Sequence, residues 1–309
     1  MMMKKGIVVL GSANIDHIAK VKNIPVPGET VGDGEYVKTF GGKGFNQAVA
    51  AMRASGNVTF LASVGDDDDG KQIIQTIKND GVNTDHVLYK KGSKTGAAFI
   101  FVEDSGENSI VVTPGANKEL TCEEVYSYTE VIAGADYLIM QMEIPYECVE
   151  TAADIAHKNN TFLVLNPAPA CKLTGDLMSK VDMLIVNETE SEIITGIPFN
   201  RAGKNIMAEA LIKMGAKSVI ITMGEKGAYL NNGKAGTEFT AFKVNAVDTT
   251  AAGDAFCGSL TAFMADNIAM EDSIRMASAA SALSVQKLGA YPSIPFRDEI
   301  DRFINERRE

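Results

Sequence analysis

Five short apolar runs, each stopping at a small or polar residue, constrain this chain more than any other feature. They are Ile7 to Leu10 before Gly11-Ser12-Ala13-Asn14, Tyr137 to Met140 before Gln141-Met142-Glu143, Phe162 to Leu165 before Asn166, Met183 to Val186 before Asn187, and Val219 to Ile221 before Thr222-Met223-Gly224. Unbroken runs of this length suit strands buried on both faces, as in a parallel sheet. Between them apolar residues recur at helical spacing: Phe45, Ala48, Val49 and Met52; Tyr146, Val149, Ala153 and Ala156 after a Pro145 suited to a first turn; Phe256, Leu260 and Phe263; and Phe296, Ile300, Phe303 and Ile304. The alternation predicts an α/β fold with a doubly wound, mostly parallel central sheet flanked by helices. Such sheets bind ligands beyond the carboxyl ends of their strands, so Asn14, Glu143, Asn187 and Thr222 are expected to share one cleft.

Two stretches break the alternation. Residues 15–40 carry Pro25, Pro27, Gly28, Gly32 and Gly34 with no helical period, and residues 95–113 read as two apolar strands around the polar turn Glu103 to Asn108. Both are expected to form a small β-sheet lid inserted into one domain spanning residues 1–309. A sheet of so few strands has one apolar face and open edges to cover, which predicts a homodimer joined through the lid.

Charge narrows the partners. Lys and Arg total 29 against 40 Asp and Glu, a formal charge of −11, which repels nucleic acid and anionic membrane surfaces. The four Cys stand apart with no CxxC pair and the three His are scattered, so neither a disulfide framework nor a zinc cage is expected. A reducing, cytoplasmic setting follows. The apolar stretch after Lys5 is too short for a signal peptide, and no run of 18 apolar residues suggests a membrane span.

Chemistry concentrates in two glycine-containing loops. Asp248-Thr249-Thr250-Ala251-Ala252-Gly253-Asp254 runs straight into an amphipathic helix. Its small side chains let N–H groups approach an anion, and the helix start adds unpaired donors and the positive end of the dipole. The same donors would keep Asp254 ionised and able to take a proton from a hydroxyl. A carboxylate of ordinary pKa ~3.9 is a weak base against an alcohol, so that transfer must come late. The plainer reading is that Thr249 or Thr250 caps the helix and Asp254 complements its dipole.

The second loop, Gly41-Gly42-Lys43-Gly44-Phe45-Asn46-Gln47, permits close approach of a small ligand, with Asn46 offering donor and acceptor to hydroxyls; an ordinary tight turn is the alternative. It matches neither GxGxxG nor GxxxxGK[ST], which speaks against a dinucleotide or Walker-type site. Asp16 could take two vicinal hydroxyls, or simply follow a strand-end turn with Asn14. Glu143 ends an apolar run, where a carboxylate needs a ligand or partner. Glu190 could hold the water shell of Mg²⁺, or cap a helix together with Asn187. The run Asp66 to Asp69 reads as a solvated face, and Cys257 as a small core residue.

Taken in order along the chain, these segments resemble the ribokinase-like (PfkB) family of carbohydrate kinases, and within it the members acting on ribose. The resemblance extends from Gly11-Ser12-Ala13-Asn14-Ile15-Asp16 through Gly41 to Gln47, Gln141-Met142-Glu143, Asn166-Pro167-Ala168-Pro169, Asn187-Glu188-Thr189-Glu190 and Asp248 to Asp254, to Lys287-Leu288-Gly289-Ala290-Tyr291-Pro292-Ser293. It implies transfer of the γ-phosphoryl of ATP to O5 of D-ribose, with Asp254 as base and the N–H groups of Ala251, Ala252 and Gly253 as anion hole. Asn14, Asp16, Gly42, Asn46 and Glu143 would hold the sugar, with Lys43 close by. Asn187 and Glu190 would face the ATP phosphates and Mg²⁺, while Thr222, Gly224, Gly227 and Ser278 would bound the nucleotide. A monovalent cation, K⁺ in most relatives, would lie among Asp248, Thr250, Ser284, Lys287, Gly289 and Ser293. Ala251 stands where many relatives outside the ribose kinases have Gly. The same resemblance leaves deoxyribose, fructose or a nucleoside as other acceptors, and a catalytically silent sugar-binding protein as the alternative from outside the enzymes.

Overall fold

A computed structural model of the chain describes residues 5–32, 34–103, 105 and 108–307. In chain order its strands are β1 (Gly6–Leu10), β2 (Asn14–Val21), β3 (Glu35–Gly41), β4 (Asn57–Leu61), β5 (Ser63–Gly65), β6 (Leu88–Lys90), β7 (Gly96–Glu103), β8 (Asn108–Thr113), β9 (Tyr137–Met140), β10 (Phe162–Leu165), β11 (Met183–Asn187), β12 (Val219–Thr222), β13 (Ala228–Asn231) and β14 (Gly236–Phe239). Eight of them build the main sheet in the order β14-β13-β12-β11-β10-β9-β1-β4. The five apolar runs of the sequence are its adjacent strands β12, β11, β10, β9 and β1, all parallel. The edge strand β4 escaped that reading because Asn57-Val58-Thr59-Phe60-Leu61 alternates, and β13 and β14 add antiparallel pairs at the opposite edge.

Strand alternation explains the unbroken apolar runs. Ile7, Val9, Ile139, Val164, Ile185 and Ile220 face one helix layer, where Phe45, Phe256, Leu260, Phe263, Ile300 and Phe303 meet them. Val8, Leu10, Leu138, Met140, Leu163 and Leu184 face the other, covered by the helices Tyr146–Asn159 and Phe199–Lys213 among others. The chain leaves β1 toward β4 on one side and later fills the other side from β9 outward, so a crevice opens between β1 and β9 where the winding reverses.

A second, four-stranded sheet has the order β3-β2-β7-β8. The turn residues Asp104, Gly106 and Glu107 of its β7–β8 hairpin lie outside the described residues. Phe99, Phe101 and Val111 are exposed on one face and Val37, Ile110 and Val112 on the other. His17 belongs to the first of these faces, stacked on Phe99 and hydrogen-bonded to the Tyr36 hydroxyl. The aspartate run is also less solvated than its composition suggested. Asp67 caps the helix Asp68–Asn79 and accepts from Thr95, and Asp69 pairs with Lys38 of β3.

The helices Lys43–Arg53 and Ala252–Ala265 pack closely on one face of the main sheet. A Cβ added to Gly258 would stand 2.3 Å from the Gln47 carbonyl oxygen and 2.7 Å from the Ala50 Cβ. Gly258→Ala is therefore expected to lower stability by about 1–3 kcal/mol in urea unfolding, since overfilling a packed contact forces backbone shifts of that cost. A wild-type midpoint in that variant would show that the helices separate freely.

Candidate functional site

Both candidate loops arrive at the crevice as helix starts. Gly42 adopts φ 90° between β3 and the helix Lys43–Arg53, and a Cβ there would come within 2.9 Å of the Asn14 nitrogen. Only glycine combines that turn with that contact. The remote Glu143 then serves this helix start: its Oε2 accepts from the Lys43 N–H at 2.9 Å and from the Ser12 hydroxyl. The carboxylate that was costly at the end of an apolar run thus has its partners. Asn14 accepts from Asn117 Nδ2 at 2.7 Å through its side-chain oxygen, and Asn117 also bonds both main-chain groups of Ala13, so β2 enters the site at a fixed depth.

The helix Ala252–Ala265 starts from Ala251 in the left-handed region, φ 60°, with no side-chain cap. The capping reading of Thr249 or Thr250 is overturned, because Thr250 turns its hydroxyl and its N–H to Asp248 Oδ1. Of the three N–H groups expected to form an anion hole, that of Ala252 donates to Thr249 O at a long 3.3 Å. A cavity of about 170 Å³ is lined by this turn together with Lys43, Asn187, Glu190 and Thr222. Asn187 and Glu190 make the full capping box on the helix Glu188–Thr195 that the plainer reading expects, and both also line the cavity. Cys257 is buried as expected, and it lines the cavity too.

Asp254 is 5% exposed. Its Oδ2 accepts from Asn46 Nδ2 at 3.0 Å and its Oδ1 from Gln47 Nε2 at 2.9 Å. Burial pushes its pKa above the ordinary carboxylate value, against the opposing pull of Lys43 and the two amides. The donors pull toward the ionised form but burial outweighs them, and the raised pKa makes the carboxylate a stronger base. Asp16 on β2 is raised to about 7 by burial and by the Glu143 and Asp254 charges. Glu190 is raised by burial, though Asn187 and Lys43 work the other way. Burial works to lower the pKa of Lys43, yet Asp254, Glu143 and Glu190 around it raise it.

Behind the cavity, Asp248 gathers a second loop: its Oδ2 accepts from the Gly289 N–H at 2.8 Å, and Val285 O accepts from the N–H groups of Val247 and Asp248. Ser284, which ends the helix Met270–Ser284, and Ser293 bracket this loop and are fully buried. The Lys287 ammonium pairs with Glu299, so only its carbonyl could serve a cation. Gly224 and Gly227 shape the turn after β12 without lining the cavity, and Ser278 gives its hydroxyl to Ile274 O in its own helix. Sequence reasoning assigned no role to Gln47, Asn166, Ser12 or Asn117. The first three stood in quoted motifs, and a glutamine beside Phe45, Ala48 and Val49 on an inward helix face was the available signal.

Asp16 gives a stability test. Its folded pKa of about 7 lies above the ordinary aspartate value of 3.8, so the folded protein loses stability on this account as pH rises between those values. Asp16→Asn should therefore melt at a higher temperature than the wild type at pH 8, with the gain shrinking at pH 5. An equal or lower melting temperature at pH 8 would refute the charge crowding.

The chain is similar to known proteins along nearly its whole length. The model of the pfkB family carbohydrate kinase matches residues 4–297. A ribokinase of Haemophilus influenzae is 41% identical over 98% of this chain and 99% of its own, and a ribokinase of Staphylococcus aureus is 38% identical over 97% and 100%. Among solved structures, Arabidopsis thaliana ribokinase complexed with ribose and ATP superposes with a TM-score of 0.89 at 29% identity, covering 98% of this chain and 99% of that one. With its fold, its two helix-start loops and its end-to-end similarity in accord, the chain belongs to the pfkB family of carbohydrate kinases.

Proposed function

We propose that the protein transfers the γ-phosphoryl group of ATP to O5 of D-ribose, giving ribose 5-phosphate and ADP. The observation that carries this reading is the buried Asp254 carboxylate at an uncapped helix start, with the Asp16, Asn46 and Glu143 cluster beside it and the donor-lined cavity before it. On the sugar side acidic oxygens and amides outnumber cations, which suits a neutral ligand made of hydroxyl donors. Asp254 takes the proton of the 5-hydroxyl as O5 bonds to the γ-phosphorus and the bridging bond to the β-phosphate oxygen breaks. The N–H groups of Ala251, Ala252 and Gly253 take up charge on the transferring oxygens, helped by the helix dipole. Lys43, held fully charged among carboxylates, stands at the junction of the two ligands.

The donor set also fits the ions. Glu190 and Asn187 would hold Mg²⁺ through its water shell, and the bound ion neutralises charge on the ATP phosphates. Oxygens of Asp248, Thr250, Ser284, Lys287, Gly289 and Ser293 would hold a monovalent cation, K⁺ by preference, which stiffens the anion-hole turn. Thr222, Gly224, Gly227 and Ser278 bound the nucleotide in this reading. The second sheet acts as a lid that excludes water from the phosphoryl group. The free thiols of Cys122, Cys148, Cys171 and Cys257 suit a reducing cytoplasm. Among the described residues no helix is long and apolar enough to cross a membrane.

The test is ADP release from Mg-ATP with D-ribose, 2-deoxyribose, fructose and adenosine in parallel, with K⁺ and with a bulky organic cation in its place. Turnover should be highest on D-ribose and should fall when K⁺ is replaced, and Asp254→Asn should lose about 10²–10⁴ in kcat while still binding sugar. A different preferred acceptor keeps the kinase chemistry and removes ribose; near wild-type turnover of Asp254→Asn removes the base.

The apolar residues exposed on the second sheet support a homodimer closed through it. Sedimentation equilibrium should give twice the chain mass of 33.0 kDa, and Ile110→Lys should shift it toward one chain. A monomeric wild type at micromolar concentration would remove the dimer.

A further inference from the structure

Gln47 has no exposed surface, so each of its amide hydrogens and lone pairs must find a partner inside the protein. Its Nε2 donates to Asp254 Oδ1 at 2.9 Å and to Asn166 Oδ1 at 3.1 Å, and its Oε1 accepts from Gln141 Nε2 at 2.7 Å. Asn166 in turn donates through Nδ2 to the main-chain carbonyl of Ile185 at 2.9 Å. These five groups come from the residue after β9, the loop after β10, the middle of β11 and the helices Lys43–Arg53 and Ala252–Ala265.

The polarity of this chain of amides is fixed at one end. A backbone carbonyl can only accept, so Asn166 must point its NH₂ at Ile185 and its oxygen at Gln47. Gln47 must then present its NH₂ to Asn166, and the same NH₂ faces the Asp254 carboxylate. Reversing Gln47 would set its oxygen against the Asn166 oxygen and the Asp254 carboxylate, and its NH₂ against that of Gln141. The contacts with Asn166 and Asp254 would turn repulsive together, whereas Gln141, whose Oε1 has no partner among the described residues, could turn over with Gln47.

We propose that Gln47 is a positioning residue for the phosphoryl-transfer reaction: the Ile185 carbonyl, relayed through Asn166, locks the Gln47 amide with its N–H toward Asp254 Oδ1, which fixes the carboxylate plane and favours its ionised form. The inference rests on the reading of Asp254 as base. With Asn46 on Oδ2 and Gln47 on Oδ1, the carboxylate is held at both oxygens by adjacent residues of one helix, and it cannot turn away from the substrate hydroxyl. The neighbouring ionisable groups are Lys43 on that same helix, Glu143 after β9, Asp16 on β2, Glu190 on the helix Glu188–Thr195 and Cys257 one turn further along the base's own helix. None of them replaces the Gln47 donor, since only Asn46 and Gln47 donate side-chain hydrogen bonds to Asp254 among the described residues.

The experiment is the pH dependence of kcat at saturating sugar and Mg-ATP, where Asp16 is engaged by the sugar and its free-protein titration is out of view. Gln47→Met keeps the length and removes the donor. It should lower kcat about 10–10²-fold and move the acid limb upward by about one unit, the change expected when a carboxylate loses one charge-assisted hydrogen bond. Gln47→Glu, which places a second negative charge there, should move the limb further in the same direction, and the KM for ATP should stay within about twofold in both. A merely structural role would lower folded yield or melting temperature and leave the limb in place; an unmoved limb in Gln47→Met overturns the inference. Should that variant fail to fold, Gln141→Leu leaves Gln47 present but removes the partner of its Oε1, and a smaller upward shift is expected, its absence again counting against the proposal. Asp254→Asn separates the two readings. If it retains turnover, the base assignment itself is lost, whereas an inactive Asp254→Asn beside an unmoved Gln47→Met limb removes only the role of Gln47.

Discussion

The close approach of two helices underlies the whole arrangement. Where Gly258 lies against the Gln47 carbonyl, the start of one helix brings Asn46 and Gln47 within hydrogen-bonding distance of Asp254 at the start of the other, across sequence separations of 208 and 207 residues. One helix carries both donors and the other the carboxylate, so the bonds exist only when the two are packed together. The small residues on the facing surfaces, Ala50, Ala51 and Gly258, are therefore as much a part of the chemistry as the groups that touch a ligand, since any bulk between them would lengthen the bonds that hold Asp254.

Charge is divided across this contact. On the side of β2 and Glu143 the protein crowds carboxylates, at the cost of raising Asp16 to about 7. On the side of Ala251 to Gly253 it offers N–H groups and a helix dipole with no side-chain cap to occupy them. One buried lysine stands between the two. Under the proposed function a neutral polyol and a polyanion would be sorted to opposite sides by the same few residues, with the proposed base between them.

Much of the architecture was legible in the sequence because burial on two faces leaves a visible mark. The runs ending at Leu10, Met140, Leu165, Val186 and Ile221 became adjacent parallel strands. The strand Asn57–Leu61 was not legible because its alternation looks like a half-exposed strand, although it closes the edge of the sheet. At the site, residue types and spacing pointed to the two helix starts. What spacing could not convey was direction: that Thr250 turns toward Asp248 and leaves the helix start open, that Glu143 reaches the Lys43 N–H, or that Gln47 turns inward to a carboxylate. Those facts depend on which distant segment supplies the partner, and no local pattern encodes that.

The pairing of Asn46 and Gln47 with Asp254 also bears on how the chain acquires its activity during synthesis. The strands β1 to β4 and the first helix leave the ribosome well before residue 254 exists, so the elements bearing Asn14, Asp16 and Asn46 can form while the residue proposed as base is still missing. Contacts of such long range are the last to form, because the entropy of closing the intervening chain must be met before they contribute. A nascent or truncated chain would present a partial sugar cradle with no means of acting on ATP. In the proposed reading, the order of the segments delays competence until the helix that carries Asp254 has docked against Asn46 and Gln47.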